Sequence, residues 1–179
     1  MLSDQENIKE YLESVIRTIP DFPKPGIQFK DITSLLNDKK ALQLTTKALC
    51  TPFKDVECDV IVGLESRGFL FGTNMAEVLG TSFVPVRKPG KLPAETISES
   101  YELEYGTDSV EMHKDAIKTG DKVIIHDDLI ATGGTALAAS KLVERLGGVI
   151  VGYSFIIELS LLKGRDLLDH DNMKSVLIM

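Results

Sequence analysis

The residues best suited to chemistry cluster in one run, Val123-Ile124-Ile125-His126-Asp127-Asp128-Leu129-Ile130-Ala131-Thr132-Gly133-Gly134-Thr135. An apolar strand leads into two adjacent carboxylates, Asp127 and Asp128, then into a loop of small residues and a helix. In an open α/β sheet, ligands bind beyond the carboxyl ends of the strands, where this acid pair falls. Successive strand residues point to opposite faces, so the two acids are expected to do different jobs. Ala131 to Thr135 opens a helix, whose unpaired N–H groups and dipole attract a phosphate. Gly133 and Gly134 let the backbone approach closely, and Thr132 and Thr135 add hydroxyl donors. Phosphate on the loop, beside carboxylates that accept from hydroxyls or hold a Mg2+ shell, suggests a sugar phosphate. A lone Gly-Gly would fit a plain helix start with two solvated acids; the whole run argues against that.

The elements that must position this run can be read on either side of it. Ser3-x-x-Glu6 reads as a capping box. Behind it Ile8, Tyr11, Leu12, Val15, Ile16 and Ile19 recur at helical spacing. Pro20, Pro23, Pro25 and Gly26 end that helix in a rigid loop. Asp38 to Cys50 predicts a second helix, and Asp59 to Leu64 a buried parallel strand. Gly68 to Leu79 predicts a helix closed by Gly80, with a strand from Ser82 to Val86. Arg87 to Pro93 is a basic loop. Thr96 to Tyr105 and Ser109 to His113 flank Gly106-Thr107-Asp108 as a β-hairpin. A strand over Lys122 to His126, a helix over Thr132 to Leu146, a strand over Val149 to Ile157 and a last strand over Ser175 to Met179 complete the pattern. Strands alternating with helices predict an α/β fold with a central, mostly parallel sheet flanked by helices. One domain is expected over residues 1–179, with a small N-terminal cap over residues 1–35 and a core from residue 36 onward.

Composition removes several function classes. The 179 residues carry 20 Lys+Arg against 27 Asp+Glu, a net charge of −7. That argues against a nucleic-acid partner gripped by bulk positive charge. No apolar stretch approaches the ~20 residues of a membrane helix, so no membrane partner is expected. Met1 to Glu6 lacks the basic and apolar regions of a signal peptide. Cys50 and Cys58 make neither a disulfide framework nor a zinc site. His113, His126 and His170 have no metal spacing. A reduced, cytoplasmic protein is the expectation.

The Val123–Thr135 run resembles the phosphoribosyl pyrophosphate (PRPP) binding signature of type I phosphoribosyltransferases. There is no GxxxxGK[ST] and no GxGxxG after a strand. Four more segments resemble the adenine phosphoribosyltransferase branch: Asp21 to Thr33, Glu65 to Gly72, Val86 to Pro93, and Ser100 to Asp108. With the signature they span residues 20 to 165 in family order. The resemblance implies the type I phosphoribosyltransferase fold, with an N-terminal hood and a flexible lid and hairpin over residues 87–113. It also implies a Mg2+-dependent reaction in which adenine and PRPP give AMP and pyrophosphate.

The same resemblance implies roles for particular residues. Asp127 and Asp128 face the ribose hydroxyls, and Ala131, Thr132, Gly133, Gly134 and Thr135 hold the 5′-phosphate. Glu65, Ser66, Arg67 and Gly68 form the pyrophosphate loop, with a cis peptide between Glu65 and Ser66 and with Arg67 as a fork donor to pyrophosphate that counts among the catalytic residues. Arg87, Lys88 and Lys91 are pyrophosphate ligands on or beside a mobile lid. The residue matching Arg87 reaches the neighbouring subunit's site, which implies a homodimer. Glu104 and Tyr105 match the family's proposed catalytic pair. Glu104 handles a proton on the adenine imidazole ring or stabilises a cationic sugar. Tyr105 donates its hydroxyl to the departing oxygens. Gln28, Phe29 and Lys30 match the adenine loop, Phe29 stacking on the base. Mg2+ is held mainly by PRPP and water, with Asp127 or Asp128 as its candidate protein ligands. His126 stands where the family has an aliphatic residue and is expected to be a core histidine paired with an acid.

Two other activities compete. A phosphoribosyltransferase for a 6-oxopurine, uracil or orotate would share the signature. Tyr101-Glu102-Leu103-Glu104-Tyr105-Gly106 and the Pro-Lys-Pro-Gly loop favour adenine. A PRPP-sensing regulator without catalysis would carry a DNA-binding domain or a basic RNA-binding face. The length and the acidic charge leave room for neither.

Overall fold

A computed structural model of the chain describes residues 4–102 and 106–179. Ser3 of the expected capping box, and Glu104 and Tyr105 of the expected catalytic pair, lie outside the described residues. The chain divides into two compact units, Met1–Ala48 and Leu49–Met179.

In the first unit, α1 (Asp4–Val15) is followed by a two-stranded antiparallel ribbon of β1 (Arg17–Pro20) and β2 (Gln28–Asp31). The proline-rich stretch expected as a loop is thus partly a strand and partly the ribbon's connection. The Asp21 carboxylate accepts from the Gly26 N–H at 2.7 Å and closes that connection. Two helices follow, α2 (Thr33–Asn37) and α3 (Lys39–Cys50). Asp38, expected as the first helical residue, is instead a cap: its Oδ1 accepts from the Ala41 N–H at 2.7 Å, as short acceptors do at helix starts. Among the described residues, Leu12, Ile16, Ile32, Leu35 and Ala41 are the buried apolar residues of this unit.

The second unit holds the sheet. Its elements are β3 (Val60–Leu64), α4 (Gly68–Leu79), β4 (Ser82–Val86), β5 (Thr96–Glu102), β6 (Thr107–His113), β7 (Lys122–Ile130), α5 (Gly134–Arg145), β8 (Val149–Glu158), α6 (Gly164–Leu168) and β9 (Met173–Ile178). Five strands pair in the order β4-β3-β7-β8-β9, all parallel. β5 and β6 form a separate hairpin. All five residues of β3 are buried, as a parallel strand covered on both faces requires. The core beneath α5 joins Val62 and Leu64 of β3, Val123 and Ile125 of β7, and Ala139, Leu142 and Val143 of α5. Burying each of the larger aliphatic side chains contributes about 1.5–3 kcal/mol.

Strand order locates the site. β3 is followed in sequence by β4 on one side, while its other neighbour is β7. The winding therefore reverses between β3 and β7, and the crevice outside their carboxyl ends is the topological switch point, the preferred place for a ligand. Glu65 to Gly68 leaves β3 there, and Asp127 to Thr135 leaves β7.

Element boundaries moved for identifiable reasons. The helix over Gly68–Leu79 is as expected and ends at Gly80 with φ 69°. β7 runs on to Ile130 rather than stopping at His126, because β8 continues to pair with it through Ile130↔Glu158 after β3 has ended. α5 begins at Gly134 rather than Thr132, since Gly133 sits at φ 84°, outside helical conformation. Thr107 and Asp108 lie in β6 rather than in the hairpin turn.

Candidate active site

The two acids sit in different environments, as alternation requires. Asp128 is 4% exposed, whereas Asp127 is half-buried. Arg67, the last residue before α4, places its Nε 2.6 Å from Asp128 Oδ2. The Asp127 Oδ1 accepts from the Asp128 N–H at 2.8 Å. Burial, the neighbouring Asp128 charge and the hydrogen bond between the two raise the Asp127 carboxyl well above the usual carboxylate range; the Asp128 amide and Arg67 only partly offset them. Gly68 makes this approach possible. A Cβ there would lie 2.8 Å from the His126 carbonyl oxygen and 2.9 Å from Asp127 Oδ1. The start of α4 therefore packs directly on the acid-bearing stretch of β7.

The loop from Ala131 to Thr135 stands beside the acids at the start of α5. The first N–H groups of a helix have no intrahelical acceptor, and here they face the end of the sheet where ligands bind. Tyr101 of β5 lies over this start: a Cβ on Gly134 would come 3.1 Å from its ring. The hairpin is held there by Lys141 and Arg145 of α5, which bond Glu99 Oε1 at 3.0 Å and Oε2 at 3.3 Å.

Opposite, Glu65 gathers the basic loop. Arg87 Nε lies 3.2 Å from Glu65 Oε2, and the Lys88 N–H donates to the same oxygen at 2.8 Å. Arg87 Nη1 donates to the Lys91 carbonyl at 3.1 Å. Burial opposes ionisation of Glu65, but the Lys88 amide, Arg87 and the Lys91 charge outweigh it and hold its carboxyl below the usual range. The Lys88 ammonium bonds Asp108, and Tyr101 Oη at 3.0 Å. The Glu65–Ser66 peptide is cis.

Three expected groups thus meet at the switch point: the Glu65–Arg67 loop with Arg87, Lys88 and Lys91; the acids; and the Ala131–Thr135 loop. Gln28, Phe29 and Lys30 lie on β2 in the first unit. There Lys30 Nζ donates to Thr18 Oγ1 at 3.0 Å, and the Phe29 ring meets Phe22 edge-on at 5.1 Å. His126 is fully buried. Its Nδ1 donates to the Ser154 carbonyl at 3.0 Å, so the partner is a backbone oxygen and not the expected acid. Burial, only partly offset by that bond, lowers its pKa to about 4, and the ring is neutral. Tyr101 and Asp108, to which the sequence assigns no role, both contact residues of the site. Gly164, whose backbone touches Ala131 and Gly133, carries no sequence signal. Among the described residues no group of three or more His, Cys, Asp or Glu side chains could cage a metal.

A crevice of this kind at the reversal of a parallel sheet, flanked by an acid pair and the Gly133-Gly134 loop, fits the phosphoribosyltransferase class. Residues 32–177 match the family model described as the phosphoribosyl transferase domain. The chain is 58% identical to the adenine phosphoribosyltransferase of Alkaliphilus oremlandii, over 92% of this chain and 96% of that protein. The solved adenine phosphoribosyltransferase of Rhodothermus marinus superposes with a TM-score of 0.93 at 55% identity, covering 97% of this chain and 99% of the other. The Saccharomyces cerevisiae enzyme, solved with adenine and an imino-altritol bisphosphate, gives 0.90 at 44% identity, covering 96% and 99%. The chain belongs to the adenine phosphoribosyltransferase family.

Proposed function

We propose that this chain transfers the 5-phosphoribosyl group of PRPP to adenine, releasing pyrophosphate and forming AMP. The bond from the ribose C1′ to pyrophosphate oxygen breaks, a bond from C1′ to adenine N9 forms, and the N9 proton leaves. The observation that carries this is the convergence at the switch point of a phosphate loop, an acid pair and an arginine-bearing loop. The high identity to adenine phosphoribosyltransferases supports adenine as the base.

In this assignment the Ala131–Thr135 amides and the Thr132 and Thr135 hydroxyls hold the 5′-phosphate. Asp127 and Asp128 accept from the ribose hydroxyls, with Arg67 fixing Asp128. Arg67, Arg87, Lys88 and Lys91 attend the pyrophosphate, and Glu65 and Ser66 shape its loop. Glu104 and Tyr105 serve as the catalytic pair, and Gln28, Phe29 and Lys30 read adenine. Mg2+ fits this donor set only as a largely hydrated ion. Asp128 is engaged by Arg67, which leaves Asp127 as the better placed carboxylate. An ion bound by one or two carboxylates, waters and phosphates is usual for Mg2+, and it would neutralise charge on the leaving pyrophosphate. A cytoplasmic homodimer in which Arg87 serves the neighbouring site goes with this activity.

Steady-state assays with PRPP and each base test the assignment. Adenine should exceed hypoxanthine, guanine and uracil in kcat/KM by at least about 100-fold. A 6-oxopurine that outpaces adenine would overturn it.

A further inference from the structure

We infer that Arg165 is a positioning residue for the Ala131–Thr135 loop, acting through Gly164 from an ion pair with Glu158. This rests on the assignment of that loop to the 5′-phosphate. β7 and β8 leave the sheet side by side: Ile130 pairs with Glu158, and the Leu159 N–H donates to the Ile130 carbonyl at 3.0 Å. After β7 the chain forms the phosphate loop. After β8 it turns back through Lys163, at φ 54°, and lays Gly164 against that loop.

The contact is backbone on backbone. A Cβ on Gly133 would lie 2.7 Å from the Gly164 carbonyl oxygen. A Cβ on Gly164 would overlap the Ala131 carbonyl oxygen and lie 2.9 Å from the Gly133 nitrogen. With no side chain between them to absorb movement, a shift of Gly164 displaces residues 131–133 directly.

Arg165 fixes Gly164. Its Nε and Nη2 grip Glu158 Oε1 and Oε2 at 2.9 and 2.6 Å. Its Nη1 donates to the Met173 carbonyl at 3.2 Å. Ser175 Oγ donates to Glu158 Oε2 at 2.7 Å, so β9 completes the clamp. The Glu158 side chain is 9% exposed. A planar fork on a carboxylate sets one geometry, whereas a pair whose arginine side chain is 40% exposed is screened by solvent and adds little net stability. Its value here is the geometry it imposes on the loop.

Arg165→Lys keeps the charge and loses the fork; Glu158→Gln keeps the shape and loses the charge. Both are assayed in the full chain beside Thr135→Ala, a direct change in the loop. In Arg165→Lys and Glu158→Gln the KM for PRPP should rise by about 10-fold or more, with kcat and the KM for adenine within about 2-fold. The affinity for AMP by calorimetry should fall in step with the PRPP effect. A merely structural role would lower the thermal midpoint and leave the PRPP KM unchanged, and that result overturns the inference. If Thr135→Ala weakens PRPP and AMP while neither clamp variant does, the inference fails and the phosphate assignment stands. If Thr135→Ala also has no effect, the phosphate assignment falls and the inference with it.

Discussion

Replacing Arg67 by alanine removes the guanidinium that lies 2.6 Å from Asp128. The two partners are unequally buried, with side-chain exposures of 39% for Arg67 and 5% for Asp128. Removing one member of a buried pair costs about 3–5 kcal/mol, because the other is left as an uncompensated charge. Water can enter the space vacated by a two-fifths exposed arginine and rehydrate part of the carboxylate. The loss for R67A should therefore fall to about 2–3 kcal/mol. Asp128→Asn is different. The asparagine oxygen still accepts from Nε, Arg67 can turn to solvent, and the repulsion on Asp127 is relieved, so the loss should stay within about 1 kcal/mol. The double variant should then be more stable than R67A by about 1–2 kcal/mol, since it no longer buries an orphan charge. Urea unfolding of all four proteins at neutral pH measures this cycle. In thermal scans R67A should melt roughly 4–12 °C lower than the parent. An R67A loss no larger than that of D128N, or strictly additive losses, would refute the buried-pair reasoning. Both variants should lose turnover, so stability rather than activity separates them.

Gly133→Ala combines strain at φ 84° with a Cβ 2.7 Å from the Gly164 carbonyl oxygen. Its unfolding free energy should drop by roughly 2–5 kcal/mol. Gly26→Ala, at φ 89° with open space around it, should lose only the strain, about 1–2 kcal/mol; equal losses in denaturant titrations would remove the loop contact from the argument. Stability against pH should carry two opposed contributions. His126, with its pKa lowered from 6.5 to about 4, binds fewer protons folded than unfolded, so its contribution falls as pH drops through that window. Asp127, with its pKa raised, binds more protons folded, so its contribution falls as pH rises above the ordinary carboxylate value. NMR should find the His126 ring still neutral at pH 5, and D128N should flatten the loss of stability on the alkaline side. A His126 that titrates with an ordinary midpoint would contradict its burial.

The sequence was most informative where one physical rule acts alone. The continuous apolar run of β3 has few conformations besides a buried strand, and Gly80 marks the end of α4 because only a left-handed residue fits there. The acid pair and the glycine loop before α5 were legible because their spacing follows from a strand feeding a helix. Legibility failed where tertiary partners decide. β1 is a strand only because β2 returns to pair with it. The extension of β7 past His126 exists because β8 runs on beside it. The Asp128–Arg67 and Lys88–Asp108 pairs join residues far apart in sequence, and neither periodicity nor propensity reports them. Arg165 is the clearest case. Its fork engages a glutamate on the preceding strand, and its consequence reaches a loop about 30 residues earlier in the chain only through the bare backbone of Gly164.

The cations expected to receive a polyanion against a net charge of −7 do not stand in a positive field of their own. Arg67 is paired with Asp128, Arg87 with Glu65, and Lys88 with Asp108. These acids hold each cation at a fixed place, which lowers the ordering cost of binding. They also compete with the incoming phosphates. Exchanging a carboxylate for a phosphate oxygen swaps one charge-assisted bond for another, so the exchange itself is close to balanced. The net attraction then rests on donors without a carboxylate's charge to displace, among them the backbone N–H groups at the start of α5, the Thr132 and Thr135 hydroxyls assigned to the phosphate, and any Mg2+ that arrives with the pyrophosphate. On this account the excess of acids is no obstacle to an anionic substrate. It preorganises the site and makes binding depend on geometry and on the accompanying cation rather than on overall potential.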